Sequence, residues 1–223
     1  MKKYETIIFD VDDTIRDYTL TDQLILEKTQ KSFGIKLTWR LLLVKLIEVM
    51  ALYARSFGIL KANMKTLTLR LEIHAVLLGL KTEEYIEKYY EFAKEINIPF
   101  ENTKEVLKHL RENNYEVYIA SNNPKSLAFC ESMDFDPNHV FITEKDSTKA
   151  YTFKSLSEIK RLKLSTTLIV GDSLIEDVCS AETLGIDSAW LNYNSRLKKM
   201  FSRIFKPTYC INDIIEVINI LEE

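Results

Sequence analysis

From Pro99 onward the chain alternates between short apolar runs and helix-length segments, and that rhythm admits few folds. A helix over 103–113 leads to "VYIA" (117–120), and one over 124–133 leads to "VFIT" (140–143). A helix around 153–162 leads to "TLIV" (167–170), and one over 176–184 to "SAWL" (188–191). "TYCI" (208–211) precedes a last helix over 214–221. Short apolar strands alternating with helices predict an α/β fold, a doubly wound, Rossmann-like parallel sheet. The run "TIIF" at 6–9 reads as the first strand of the same sheet.

Between that first strand and the second, the texture changes. Apolar residues recur at helical spacing in four blocks, 21–33, 38–57, 65–78 and 82–96, with Gly34, Gly58 and Gly79 as breakers between them. Thr82 followed by Glu83 and Glu84 marks a helix start. No strand pattern interrupts the stretch. The expected organisation is therefore an α/β core of residues 1–15 and 97–223, interrupted by an all-helical insertion over 16–96. The aromatic run "EEYIEKYYEFAKEI" reads as the core of the insertion, and Trp39 and Tyr53 read as packing residues.

Composition narrows the class. The chain has 223 residues, 46% of them hydrophobic and 28% charged, enough for one sizeable core and a smaller lobe. A net charge of −3 predicts no nucleic-acid polymer as partner. The most apolar stretch, 37–60, is interrupted by Arg40, Lys45, Glu48 and Arg55 and reads as a soluble helix, not a membrane span. The N-terminal "MKKYETIIFDVDD" has an apolar run of three residues, too short for a signal peptide. Cys130, Cys179 and Cys210 are scattered and odd in number, as expected of reduced, buried thiols in a cytoplasmic protein. His74, His109 and His139 lie near no motif and read as structural or surface residues.

In open parallel sheets, ligands bind beyond the carboxyl ends of the strands. Asp10, Val11, Asp12 and Asp13 follow the first strand here. Ser121, Asn122 and Asn123 follow the second, and Lys149 lies a few residues beyond the third. Gly171, Asp172 and Ser173 follow the fourth, with Asp177 further on. Alone, the first acids would be a solvated acidic turn, and Asp177 a first-turn helix acid. Their convergence argues for more. Clustered carboxylates are tolerable around a hard divalent cation, and oxygen-only ligands suit Mg²⁺. Beside such a cation a carboxylate can attack phosphorus. A second carboxylate two residues on can move the leaving group's proton.

The segments "DVDDT", "SNN", a lone lysine and "GDSLIED" resemble the signature motifs of the haloacid dehalogenase-like hydrolase superfamily. Order and spacing match along nearly the whole chain. The resemblance implies Asp10 as nucleophile, Asp12 as acid/base, and Ser121 with Asn122 as phosphoryl-binding groups. It implies Lys149 as the charge-balancing lysine, which also binds phosphate. Lys145, Lys149 and Lys154 all lie in the window, and Lys149 sits where the family's lysine falls. The metal site is expected from Asp10, Asp12, Asp172 and Asp177, with Asp12 contributing its backbone carbonyl. Asp177 completes that site or orients Lys149. The insertion resembles the family's α-helical cap and is expected to close over the substrate about crossings near Arg16 and Pro99. Asp13 and Asn123 stand where glycine is common in the family, and Ala150 where proline is; aspartate and asparagine tolerate left-handed backbone.

The function this implies is a Mg²⁺-dependent phosphatase acting on a small phosphorylated metabolite, such as a nucleoside monophosphate or sugar phosphate. A phosphomutase of the same fold, or a catalytically silent binding protein, are the alternatives. Asp12 argues against a dehalogenase, which needs no proton for a leaving alcohol. No membrane partner is expected. The insertion carries 13 Lys/Arg against 10 Asp/Glu over residues 16–95, a mildly basic lid that suits an anionic substrate.

Overall fold

The computed structural model describes residues 3–36, 38–56, 64–124, 126–144, 147–192 and 205–222. In chain order, strand β1 (Thr6–Phe9) is followed by helices α1 (Tyr18–Ser32), α2 (Trp39–Ser56), α3 (Met64–Leu78), α4 (Thr82–Glu95) and α5 (Thr103–Glu112). Then come β2 (Glu116–Ser121), α6 (Ser126–Ser132), β3 (Val140–Ile142), α7 (Lys149–Lys160) and β4 (Thr167–Gly171). A π-helical turn, Leu174–Val178, runs into α8 (Cys179–Leu184), and β5 (Asp187–Leu191), β6 (Tyr209–Ile211) and α9 (Glu216–Glu222) complete the described chain. The elements fall into two compact units, Met1–Asp17 with Pro99–Glu223, and Tyr18–Ile98.

The first unit is the α/β fold expected. Its six strands run parallel in the order β3-β2-β1-β4-β5-β6. β1 lies at the centre, and its Ile7, Ile8 and Phe9 are fully buried. Successive side chains of a strand point to opposite faces, so Ile7 and Phe9 join one core with Val106, Leu110 and Phe129, while Ile8 joins another with Phe153 and Leu156. A sheet covered on both faces needs apolar residues at every position of its central strand, which is why "IIF" shows no alternation.

The second unit holds α1 to α4, close to the expected blocks. Left-handed Gly34 (φ 63°) and Gly79 (φ 74°) end α1 and α3; Gly58 lies outside the described residues. Ile25, Leu26, Leu71, Ala75, Tyr85, Tyr89 and Phe92 form its core, so the aromatic run of α4 is packing material. A charged group is buried with them. Arg70 Nη2 donates to Asp22 at 2.7 Å, and Tyr89 donates to the same carboxylate. Glu48 lies 3.3 Å from Arg70 and 2.7 Å from the fully buried His74.

Three expectations are corrected. Helix α7 begins at Lys149, not 153, because Thr148 Oγ1 caps it by accepting from the Tyr151 amide at 3.3 Å. The thiols are not all buried: Cys130 is, Cys179 is partly covered, and Cys210 is exposed because β6 is an edge strand; none forms a disulfide. Trp39 does not pack but is 69% exposed, since α2 turns it away from the core of its unit. The side chain of Tyr53 lies outside the described residues. Among the described residues, no helix is long and apolar enough to cross a membrane.

Candidate active site

The acids, hydroxyl and amine singled out in the sequence meet at one rim of the α/β unit. Because β1 lies between β2 and β4, Phe9 pairs with Ile119 on one side and Val170 on the other. The residues just beyond, Asp10 after β1, Ser121 closing β2 and Asp172 after β4, are therefore neighbours. Strand order reverses at this point, where doubly wound sheets open a ligand crevice.

Lys149, the first residue of α7, stands at the centre of the group. Its Nζ lies 2.6 Å from Asp10 Oδ1 and 2.6 Å from Asp177 Oδ1, and it is almost wholly buried. Burial alone would lower the ammonium's pKa, but the charges of Asp10 and Asp177 overcome it and raise the pKa above the ordinary value. Lys154 is exposed beside Glu158, and Lys145 lies outside the described residues. Thr14 Oγ1 approaches the other oxygen of Asp10 at 3.5 Å.

Asp177 is delivered by the π-helical turn. The Ser173 amide donates to its Oδ2 at 3.0 Å. Gly171 makes the approach possible: a Cβ there would fall 2.2 Å from the Asp177 carboxyl carbon. Two carboxylates share one ammonium here, so burial, together with the charge of Asp10, pushes Asp177 up to about 6 despite Lys149. Asp172 is partly buried, and its backbone carbonyl accepts from the Trp190 indole at 2.9 Å. Carboxylate oxygens of Asp10, Asp172 and Asp177 all lie within 4.8 Å of one another. Three acids against one lysine leave excess negative charge, and an all-oxygen donor set of this kind fits a hard divalent cation such as Mg²⁺.

The side chain of Asp12 stands apart from that set. Arg16 Nε donates to its Oδ1 at 2.8 Å, and Arg16 Nη2 donates to the same oxygen. Asn123 Nδ2 donates to its Oδ2 at 2.7 Å. Burial raises the Asp12 pKa, the Arg16 charge and the Asn123 amide oppose it, and the net direction is upward. The carboxylate is turned back by a tight loop in which Asp13 adopts φ 57° and the amides of Thr14, Ile15 and Arg16 all donate to the Val11 carbonyl. Asp13 thus takes the left-handed conformation that glycine would supply; Asn123 does not, and serves Asp12 through its side chain instead.

Ser121 Oγ lies 2.8 Å from Ser126 Oγ and accepts from the Asn123 amide at 3.2 Å. Asn122 is exposed and donates to Glu176 on the π-helical turn. So Asp10, Lys149, Asp172 and Asp177 form one contact group, with Asp12 held beside it by other partners. Arg16, Ser126 and Trp190 carry no site motif in the sequence, and Asn123, marked there only as standing at a glycine position, turns out to hold Asp12. The sequence signal for Arg16 is its place four residues after an acid.

Comparison with known proteins points to one family. The family described as haloacid dehalogenase-like hydrolase matches residues 7–191. The HAD-hydrolase YfnB of Bacillus subtilis is 25% identical over 239 residues, spanning 99% of this chain and 97% of that protein. A crystal structure of YfnB bound to magnesium superposes with a TM-score of 0.76 at 24% identity, over 100% of both chains. A phosphatase structure from Clostridium difficile gives 0.67 at 21% identity over 99% and 100% of the two chains. A β-phosphoglucomutase structure from Thermotoga maritima gives 0.70 at 17% over 98% of each.

Proposed function

The chain belongs to the haloacid dehalogenase-like hydrolases, and from that premise we propose that it is a Mg²⁺-dependent phosphatase of a small phosphorylated metabolite. The supporting observation is the pairing of two differently held acids. Asp10 sits among Lys149, Asp172 and Asp177, while Asp12 is held by Arg16 and Asn123.

In this reading an Asp10 oxygen attacks phosphorus and forms an aspartyl-phosphate as the bond to the leaving oxygen breaks. Asp12, its pKa raised, supplies the proton that the departing alkoxide takes up. It then accepts a proton from water, whose oxygen attacks the phosphorus and frees Asp10 and inorganic phosphate. Lys149 offsets the charge on the phosphoryl oxygens, and Ser121 donates to them. Asp10, Asp172 and Asp177, with the Asp12 carbonyl, would hold Mg²⁺, which when bound would neutralise charge at the phosphoryl group.

The test is hydrolysis of an aryl phosphate with Mg²⁺ or with chelator. The expected outcome is turnover with Mg²⁺ alone, and none in Asp10→Asn with its circular dichroism unchanged. Turnover undiminished in Asp10→Asn rejects the reading. Free phosphate released from nucleoside monophosphates or sugar phosphates identifies the substrate class; isomer formation without release makes the chain a mutase.

A further inference from the structure

Helix α2 carries two apolar seams. Leu41 and Val44 are buried. A second seam, Trp39, Leu42, Leu46 and Val49, with Met50 beside it, faces solvent. Helix α3 repeats the pattern. Leu71 and Ala75 are buried, while Leu69, Ile73 and Val76 are exposed. The steps along these outer seams alternate between three and four residues, the spacing by which one helix seats against another. The two helices are neighbours: Arg40, at the start of α2, reaches Gly79 just past the end of α3.

A surface helix normally shows one apolar stripe and one polar face. Among the described side chains, these outer stripes have no charged residue within them. The eight side chains are between 38% and 70% exposed. Together they leave on the order of 800 Å² of apolar surface uncovered, against roughly 300–600 Å² for the largest patch of an ordinary monomer. That is also about one partner's share of a standard-size protein interface. Among the described side chains, the exposed charges bordering the stripes are of opposite sign on the two helices: Arg40 and Lys45 on α2, Glu72 on α3.

We propose that this α2–α3 face is where a second copy of the chain docks, forming a two-fold dimer in which α2 of each copy seats against α3 of the other. A two-fold interface must be self-complementary. An apolar stripe with basic borders meeting one with an acidic border meets that requirement, whereas α2 against α2 would set Arg40 and Lys45 near like charges. The area matches what a stable dimer needs.

The test is sedimentation velocity on the full chain from about 1 to 100 µM. The expected species has twice the 26.1 kDa chain mass. Leu46→Glu and Val76→Glu, both on exposed positions, should each weaken association at least about tenfold and leave the thermal midpoint of the monomer intact. Ile159→Glu, on the exposed surface of α7, should leave the dimer untouched. A wild type that remains monomeric across the range overturns the proposal, as does a dimer that survives both seam variants. Pelleting of a monomeric wild type with lipid vesicles would also overturn it and assign the face to a membrane surface instead.

Discussion

Arg16 grips the carboxylate of Asp12 from four residues away, with its Nε 2.8 Å from Oδ1. A fixed positive charge beside a proposed proton donor lowers its pKa, here against the upward push of burial. Replacing Arg16 with Gln should therefore raise the Asp12 pKa further and move the alkaline limb of the kcat/KM profile, which reports Asp12 as the acid, to higher pH. It should also cut turnover roughly 10- to 100-fold, in the range of a mispositioned acid/base group. The loss should be larger for an alkyl phosphate, whose leaving group needs the proton, than for p-nitrophenyl phosphate. Equal losses on both substrates with an unmoved profile would show that Arg16 only supports the loop.

Gly171 should tolerate no side chain. In Gly171→Ala the added methyl would overlap the Asp177 carboxyl group, which must then leave Lys149. The expected cost is about 1–3 kcal/mol of stability, typical of overpacking, together with weaker Mg²⁺ binding by calorimetry. Wild-type affinity for the metal would show that Asp177 has no part in holding it.

Asp177 should make the metal-free protein less stable as pH rises. Its carboxyl is pushed up to about 6 from 3.8. Between those values the folded state holds a proton that the unfolded chain has released. The resulting stabilisation is complete below about 4 and is lost as pH climbs through about 6. Thermal melts in chelator from pH 4 to 8 should show that decline in wild type and a flatter curve in Asp177→Asn. Added Mg²⁺ should raise the wild-type midpoint more at pH 7 than at pH 5, because the ionised carboxylate is the ligand.

The buried ion group of the helical unit should be unforgiving. Asp22→Ala strands the Arg70 guanidinium, which is 7% exposed, without its closest partner. Breaking a buried pair from one side costs about 3–5 kcal/mol. Urea unfolding should report a loss of that order in Asp22→Ala, partly recovered when Arg70→Met is added. A loss below about 1 kcal/mol would mean that the pair is solvated in solution.

Much of the α/β unit was legible in the sequence because each buried strand runs into polar residues at its end. Ile7, Ile8 and Phe9 leave little doubt about β1, and Asp10 follows at once. Less legible was whatever depends on a cap or a backbone irregularity. The four residues that open α7, "KAYT", carry no helical stripe; Thr148 and the ion pairs of Lys149 hold them. A π-helical turn has no residue code, and the close packing behind Asp177 shows itself only as a glycine at 171. The partners of Asp12 depend on a chain reversal at Asp13, which brings together residues that a linear reading keeps apart. Trp39 failed for another reason: periodicity finds an apolar stripe but not whether anything covers it.

The α/β unit lets its chain out after Asp17 and takes it back at Pro99, and Arg16 and Pro99 already pair as an antiparallel bridge. The Phe100 amide and the Thr103 hydroxyl both fasten to the Ile15 carbonyl, at 3.2 and 3.0 Å. Departure and return therefore share a single clasp. The 81 intervening residues hang from that one clasp, so a change of length among them shifts the register of no strand.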